Sequence, residues 1–367
     1  MKKTISQIFK HPVSRVLTQT VVIAGITFAL TEITFRIYNK INPSFVFRDR
    51  SYNRWRRKPN ARDFNFNLNS HGFKDVEFTQ EKPPGTHRIL GIGDSFSFGI
   101  VPYHDNYLTL VEEGLNAEGK NVELINMGIP GMGPEDYLSL LTNEGLILNP
   151  DRIILSFYIG NDFIDNYLLS LDKDEEIFYT VAFFKSLMAL NAKFKGTDYN
   201  PQNLEYDDDK PTLTDEAYRE IVVNASRMFD IEATDGMFLS MFEDAMRDIR
   251  EIKRICDSRN IDLSVVIIPA EVQVDPNLQA EVIQTFKPDD PEGFDFEYPN
   301  RLLRDRFEEY DIDYIDLLDD FREASQTDRL YRPNDTHWNI AGNRLAAELI
   351  ERHLLKQNLE TEAGSGE

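Results

Sequence analysis

Residues 88–99 read RILGIGDSFSFG, a short apolar run that ends in Gly93-Asp94-Ser95. Such a run closed by glycine favours a buried strand, and the helical spacing of the apolar residues over 107–115 then predicts a helix that ends at Gly119. Residues 88–119 are therefore predicted to form a strand, a turn and a helix. Ser95 follows the carboxyl end of the strand directly.

The same alternation continues along the chain and decides the fold class. Further strand patterns cover Val122–Asn126, Arg152–Tyr158, Leu263–Pro269 and Tyr314–Leu317. Helical patterns cover residues 137–145, 237–259, 301–310 and 340–355. Strands that alternate with helices predict an α/β fold, in which a parallel five-stranded sheet lies between helices on both faces.

Composition limits the possible functions. The chain has 367 residues, 41% of them hydrophobic, which is enough for a sizeable core. A single cysteine, Cys256, excludes an intramolecular disulfide and a cysteine-rich metal site. The six histidines show no metal-ligand spacing. We therefore expect neither a metal nor another cofactor.

The N-terminal segment predicts membrane attachment. Residues 16–31 carry no charge, and the apolar run continues past Glu32 and Arg36 to about residue 38. Because a spanning helix needs about 20 apolar residues, we expect an uncleaved single-pass anchor over 16–38 behind a basic segment, 1–15. A cleaved signal peptide is the nearest alternative, but no convincing cleavage site is present.

Charge is distributed unevenly along the chain. Residues 1–62 contain 13 Lys and Arg but only two acidic residues, although the formal net charge of the whole chain is −23. The acidic body would repel phosphate, so we expect no nucleic-acid partner. Residues 39–84 are expected to be a basic juxtamembrane linker and lead-in, with the alternative that their cations lie on anionic headgroups.

The rest of the chain divides into a catalytic domain and a tail. The domain is expected over 85–356, with a partly helical cap inserted at 163–235. Residues 357–367 are polar and predict a disordered tail.

Four polar motifs follow predicted strands or precede the last helix. They are Gly93-Asp94-Ser95, Asn126 to Gly131, Gly160-Asn161-Asp162 and Asp335-Thr336-His337-Trp338. Ligands of an open parallel sheet bind outside the carboxyl ends of its strands. The motifs are therefore expected to meet in one site.

These motifs and their order resemble the SGNH/GDSL hydrolase family over residues 85–350. Together with the N-terminal anchor and residues 68–74, the chain resembles the membrane-anchored branch of that family. The resemblance implies the three-layer α/β/α, flavodoxin-like SGNH hydrolase fold. It also implies a catalytic domain outside the cytoplasm, whereas the positive charge that follows the anchor favours the inside.

The resemblance implies a role for each motif residue. Ser95 would be the nucleophile, His337 its base, and Asp335 the acid that orients His337. The backbone N–H groups of Ser95 and Gly131 and the side-chain amide of Asn161 would form the oxyanion hole.

Each of these residues also has a structural alternative. Ser95 could cap a helix, His337 could cap the last helix, and Gly131 and Asn161 could be turn residues. Asp94 and Asp162 are expected to hold neighbouring loops by hydrogen bonds.

The last motif departs from the usual spacing of the family. Asp-x-x-His would place the acid at residue 334, which is Asn, whereas the aspartate here is Asp335. The string Asp335-Thr336-His337-Trp338 instead resembles a related branch that O-acetylates extracellular polysaccharides.

Three functions are compatible with these motifs. The first is a serine esterase that hydrolyses a short-chain or acetyl ester of an envelope glycan or lipid through an acyl-enzyme on Ser95. The second is an O-acyltransferase that uses the same site. The third is a catalytically inactive glycan-binding scaffold. The expected partners are an ester-bearing small molecule or glycan and, through the anchor, a membrane.

Overall fold

The computed structural model describes residues 12–41, 56–165, 178–181, 183–184, 205–230, 236–286 and 293–364. The chain forms two compact units. The first comprises Met1–Arg50 and Asp174–Lys193, and the second comprises Ser51–Lys173 and Phe194–Glu367.

The first unit contains one long helix, α1 (Pro12–Ile41). Its stretch Arg15–Tyr38 is 24 residues long with a mean hydropathy of 1.7, which is long and apolar enough to cross a membrane. Within this unit the Glu32 carboxylate accepts hydrogen bonds from the backbone N–H groups of Tyr179 and Thr180, at 3.0 and 2.9 Å. The expected anchor therefore corresponds to a real helix, whose membrane role remains a proposal.

The second unit is built on a five-stranded parallel sheet. Its strands are β3 (His87–Ile92), β4 (Val122–Asn126), β5 (Arg152–Tyr158), β6 (Asp262–Ile268) and β7 (Asp313–Asp316), in the order β4-β3-β5-β6-β7. Every residue of the central strand β5 is buried, as its continuous apolar sequence requires of a sheet covered on both faces. The predicted flavodoxin-like sheet is confirmed.

Helices complete the three layers. They are α2 (Ser95–Phe98), α3 (Tyr107–Ala117), α4 (Pro134–Leu140), α5 (Asp215–Ala225), α6 (Gly236–Arg259), α7 (Glu271–Val274), α8 (Pro276–Phe286), α9 (Tyr298–Glu309), α10 (Leu318–Ala324) and α11 (Ile340–Gly364). α3 packs against α11, and α4 packs against α6. Shorter turns cover Tyr103–Asp105, Leu141–Gly145, Leu146–Leu148 and Ser226–Phe229.

Two helix boundaries differ from the sequence pattern. The helix expected over 137–145 begins at Pro134 and changes at Leu141 into a π-helical turn. α11 runs to Gly364, although residues 357–367 were expected to form a disordered tail. Residues 356–363 are mostly good helix formers and contain neither Gly nor Pro, which explains the extension. Residues 365–367 lie outside the described residues.

Residues 56–84 of the lead-in are part of the second unit. A small antiparallel pair, β1 (Arg62–Asp63) and β2 (Phe66–Asn67), precedes the sheet. Arg56 is buried, lies over the Phe73 ring at 4.5 Å and forms two 3.0 Å hydrogen bonds to Glu144. Arg56 therefore contacts protein and not lipid headgroups.

Part of the predicted cap at 163–235 is described. Residues 205–230 contain α5 and the 3-10 turn Ser226–Phe229. Residues 166–177, 182, 185–204 and 231–235 lie outside the described residues.

Candidate active site

Ser95 begins α2, in the turn that leaves β3. The Asp94 carboxylate accepts a hydrogen bond from the Phe96 backbone N–H at 2.9 Å and so caps this turn of helix. Gly93 is required here, because a Cβ at this position would lie 2.2 Å from Ser97 Oγ and 2.9 Å from Ser156 Cβ. The sequence Gly-Asp-Ser thus describes a tight turn that holds the Ser95 side chain at the carboxyl edge of the sheet.

Buried hydroxyl and amide groups support this turn from below. The Tyr107 hydroxyl lies 2.8 Å from Ser97 Oγ and 2.5 Å from Ser156 Oγ. The side-chain amides of Asn106 and Asn126 both donate to the Ser97 carbonyl oxygen, at 3.0 and 2.7 Å. The turn that carries Ser95 is therefore held by a satisfied polar network, which rigidifies a site.

The lead-in reaches the same loop through a buried lysine. Lys74 Nζ donates to the carbonyl oxygens of Gly99, at 2.9 Å, and Val101, at 2.5 Å, and forms an ion pair with Asp63 at 2.5 Å. Burial lowers the pKa of Lys74, while the charge of Asp63 opposes that shift. The segment before the first sheet strand thus holds the loop that follows Ser95 and is part of the site's scaffold.

His337 and Asp335 complete a hydrogen-bonded chain from Ser95. His337 Nε2 lies 2.7 Å from Ser95 Oγ, and His337 Nδ1 lies 2.7 Å from Asp335 Oδ1. The same Asp335 oxygen accepts the His337 backbone N–H at 3.1 Å. The Asp-x-His spacing therefore forms a local turn in which the acid reaches both the backbone and the ring of His337.

Asp335 is stabilised as an anion. Burial alone would raise its pKa, but the hydrogen bond and charge of His337 and a 2.5 Å hydrogen bond from the Thr212 hydroxyl outweigh burial and hold the pKa below its usual value. Arg332 lies 3.4 Å from the second carboxylate oxygen. An ionised Asp335 can hold the proton-bearing Nδ1 of His337 and stabilise the imidazolium cation.

Asn334, at the position usual for the acid, faces away from His337. Its backbone is left-handed, with φ of 48°. Its side-chain amide donates to the Leu213 carbonyl oxygen at 3.3 Å and to the Asp215 carboxylate at the start of α5. Asn334 therefore joins the His337 loop to the cap segment.

The residues expected to form the oxyanion hole differ in their positions. Asn161 lines the same cavity as Ser95 and His337, and its Oδ1 is buried without a hydrogen-bond partner among the described residues. Gly131 follows β4 in a left-handed conformation, with φ of 75°, and is not among the described residues that line the cavity. Asn161 is therefore brought to the site, and the part of Gly131 in the oxyanion hole stays a prediction.

Asp162, expected to be structural, is fully engaged in the scaffold. Its carboxylate accepts the Tyr137 hydroxyl at 2.9 Å and the Tyr158 backbone N–H at 3.0 Å. Burial raises its pKa well above the usual value.

A cavity of about 190 Å³ opens beside Ser95 and His337. Part of its lining comes from the cap and is apolar, and another part comes from the turn between β6 and α7. The lining residues are Ser95, Tyr158, Gly160, Asn161, Ile221, Val222, Ala225, Phe229, Ala270, Glu271, Val272, Thr336 and His337. The volume lies below the range of about 300–1,000 Å³ typical of drug-sized ligands, so the cavity suits a small group.

Comparison with known proteins identifies the domain type. Residues 239–366 match the family model described as SGNH hydrolase-like domain, acetyltransferase AlgX. This region of the chain is therefore similar to an SGNH hydrolase-like domain. The resemblance inferred from the four motifs is confirmed, and the matched region includes Asp335 and His337 but not Ser95.

Several solved structures are also similar to the chain. An acetyl xylan esterase, AlAXEase, is 17% identical, with 72% of this chain and 97% of that chain covered and a TM-score of 0.40. A lipase/acylhydrolase from Enterococcus faecalis is 18% identical, with coverages of 74% and 96% and a TM-score of 0.38. An acetylxylan esterase from Geobacillus stearothermophilus, Axe2, is 13% identical, with coverages of 72% and 93% and a TM-score of 0.40. A comparison with curated protein sequences finds no match.

The candidate site has two residues that the sequence reasoning missed. Thr212 reaches Asp335 from the cap, 123 residues away along the chain, so no local sequence pattern predicts this contact. Glu271 lies just after the carboxyl end of β6, where a parallel sheet places its ligands, and this position is a signal that could have found it.

Glu271 is an unusual carboxyl group for an apolar cavity. Tyr218 of α5 donates a hydrogen bond to it. Burial raises the pKa of Glu271 to about 8, and the nearby charges of Asp275 and Asp335 act in the same direction. Glu271 is therefore mostly protonated at neutral pH. No group of three or more His, Cys, Asp or Glu suited to a metal ion occurs among the described residues.

Proposed function

We propose that the chain is a serine-dependent acyl-transfer enzyme that forms an acyl-enzyme on Ser95, with a short acyl ester as substrate. The observation that carries the proposal is the continuous chain from Ser95 Oγ through His337 to Asp335, with both links at 2.7 Å. A serine hydroxyl is a weak nucleophile unless a base takes its proton, and this arrangement supplies the base and the group that orients it.

The first half of the reaction forms the acyl-enzyme. Ser95 Oγ attacks the ester carbonyl carbon while its proton passes to His337 Nε2. The Asp335 carboxylate stabilises the resulting imidazolium. When the tetrahedral intermediate collapses, the bond to the leaving alcohol breaks and His337 returns the proton to that alcohol's oxygen.

The oxyanion of the intermediate needs preorganised donors. We assign this role to the backbone N–H groups of Ser95 and Gly131 and to the Asn161 side-chain amide. The position of Asn161 in the cavity wall supports its assignment. Loss of one such donor typically lowers the rate about 10²- to 10³-fold.

The second half of the reaction decides between hydrolysis and transfer. A water molecule that gives its proton to His337 and attacks the acyl carbon would release the free acid, as the bond to Ser95 Oγ breaks and His337 passes the proton to that oxygen. A sugar hydroxyl that does the same would carry the acyl group away as a new ester. The family model's description as an acetyltransferase and the Asp335-Thr336-His337-Trp338 string are two observations in support of the second outcome. We therefore keep O-acyl transfer as the alternative to hydrolysis.

The cavity supports a short acyl group. A cavity of about 150 Å³ is known to hold one benzene molecule, and the cavity here is of similar size, about 190 Å³. We therefore expect acetyl to butyryl esters to be accepted and long fatty acyl esters to be rejected.

The helix α1 supports attachment to a membrane. Its apolar side chains are exposed, Val21 and Ile23 each by 64%, and its length matches a bilayer. We propose a single-pass anchor with the catalytic domain outside the cytoplasm. A reporter fused to the C-terminus, active only on one side of the membrane, would test the orientation.

One experiment tests the proposed reaction. The full chain, purified in detergent, is assayed with p-nitrophenyl esters of increasing chain length, alone and with an acceptor oligosaccharide, and the products are identified by mass spectrometry. We expect turnover that is greatest with acetyl and lost with long chains. Acylated oligosaccharide would identify a transferase, and free acid alone an esterase. Absence of turnover with every ester would contradict the proposal and favour an inactive scaffold.

A further inference from the structure

The Glu271 carboxyl lines the cavity but has no part in the chain from Ser95 to Asp335. It lies on the turn after β6, whereas Tyr218, which donates a hydrogen bond to it, lies on the cap helix α5. The pair therefore joins the cap to the carboxyl edge of the sheet at the wall of the cavity. A purely structural contact would not require a cavity-lining position.

Apolar residues next to Glu271 in the cavity lining make it unfavourable to leave an oxygen of its carboxyl group without a hydrogen bond. Val222, Ala225, Phe229 and Val272 line the cavity with Glu271 and offer it no hydrogen bond from their side chains. Tyr218 donates to Oε2 of Glu271, which leaves Oε1 to pair with a ligand. A polar atom left without a partner when a ligand covers it weakens binding by about five- to a hundred-fold. A ligand made only of hydrocarbon would impose that loss whenever it filled the cavity.

The protonation state of Glu271 defines the partner it can accept. The titratable and charged groups that act on it are Tyr218, Asp275, Asp335 and Arg329, and its own charge acts on Tyr158 and Tyr331. The two aspartates and burial keep the carboxyl protonated at neutral pH. A neutral carboxyl both donates and accepts hydrogen bonds, as an alcohol does, and so matches a hydroxyl group.

We propose that Glu271, positioned by Tyr218, is a specificity-determining subsite that binds a free hydroxyl group close to the reacting ester. This inference rests on the proposed function. The subsite favours an ester of a polyhydroxylated alcohol over an alkyl ester of the same size. Bringing α5 to Glu271 also makes the cap part of the recognition surface.

The test uses two matched substrates. One is a methyl glycoside with a single O-acetyl group and free neighbouring hydroxyls, and the other is the same compound with those hydroxyls O-methylated. The full chain should prefer the first, and Glu271→Leu should reduce the ratio of the two kcat/KM values by about tenfold. Glu271→Gln, which still donates and accepts, should restore most of the ratio.

A matched control is a carboxylate of α8 that pairs with α5. Glu281 forms an ion pair with Arg219 and is not among the described residues lining the cavity, so Glu281→Gln should keep the wild-type ratio. The thermal unfolding midpoint of each variant reports whether it folds.

The possible failures are distinguishable. A folded Glu271→Leu variant with the wild-type ratio would overturn the subsite, and so would a Glu271→Gln variant no better than Glu271→Leu. A wild-type chain that turns over neither glycoside nor p-nitrophenyl acetate would overturn the proposed function itself, and the subsite with it.

Discussion

Replacing Asp335 by Asn and Asn334 by Asp moves one carboxylate back by a single residue, to the position from which Asp-x-x-His sites supply their acid. The Asp335 carboxylate accepts a hydrogen bond from His337 Nδ1–H at 2.7 Å. A hydrogen bond to a charged group contributes roughly 1.5–3 kcal/mol. That energy alone corresponds to about 10- to 150-fold in rate. Loss of the correct tautomer can raise the cost to about 10⁴-fold in a triad.

The structure predicts that the moved carboxylate does not restore activity. Residue 334 faces the Leu213 carbonyl oxygen and the Asp215 carboxylate, so an aspartate there meets two acceptors and no donor. We expect Asp335→Asn to lower kcat/KM about 10²- to 10⁴-fold, and the double variant to be no better.

The assay is kcat/KM for p-nitrophenyl acetate, with urea unfolding as a check of the fold. Asn334→Asp alone is the matched control, because it adds the same carboxylate while Asp335 stays in place, and it should keep activity within about tenfold of the wild type. If the double variant recovers more than tenfold over Asp335→Asn, residue 334 can reach His337 and our reading of this turn is wrong.

Three further predictions concern the surroundings of the triad. Thr212→Val removes the 2.5 Å hydrogen bond to Asp335 and should lower kcat/KM about 3- to 30-fold, while Thr212→Ser should restore it; equal activity of all three proteins would show that this bond does not position the acid. The pKa of Glu271 is raised to about 8, so the folded state binds one proton more than the unfolded state between about pH 4.5 and 8. As the pH rises through that window, the free energy of unfolding of the wild type should therefore fall relative to that of Glu271→Gln, by at most about 1.4 kcal/mol per pH unit. Parallel urea-unfolding curves of the two proteins against pH would contradict this. Gly128→Ala places a Cβ 2.3 Å from the Phe98 backbone nitrogen and should cost about 1–3 kcal/mol in urea unfolding, whereas Gly236→Ala, with open space around it, should be neutral, and equal stability of both variants would refute the packing argument.

The sequence predicted the parts of the fold that depend on local patterns. The run at Arg152–Tyr158 reads as a fully buried strand, because an apolar stretch of that length bounded by turns fits a sheet covered on both faces, and it lies at the centre of the sheet. The placement of polar motifs after β3 and β5 likewise brought Ser95 and Asn161 to one cavity, because parallel strands end at a common edge, and His337 reaches the same cavity from the loop before α11.

Contacts between distant segments could not be predicted in this way. Thr212 reaches Asp335, and Tyr218 reaches Glu271, from the insertion at 163–235, for which the sequence predicts only a partly helical cap. Lys74 looked like part of a basic linker, yet it is buried against Asp63 and the carbonyl groups after Ser95. Each of these pairings depends on tertiary packing, which overrides the local meaning of charge and polarity.

The most direct test of the account is covalent labelling of the full chain, purified in detergent, with a fluorophosphonate probe, followed by peptide mapping. The account predicts one modified residue, Ser95, because its Oγ is the hydroxyl that lies 2.7 Å from His337 Nε2. Labelling should disappear in Ser95→Ala and slow strongly in His337→Ala. A folded wild-type chain that remains unlabelled, or that is labelled at a different serine, would contradict the assignment of Ser95 as the nucleophile.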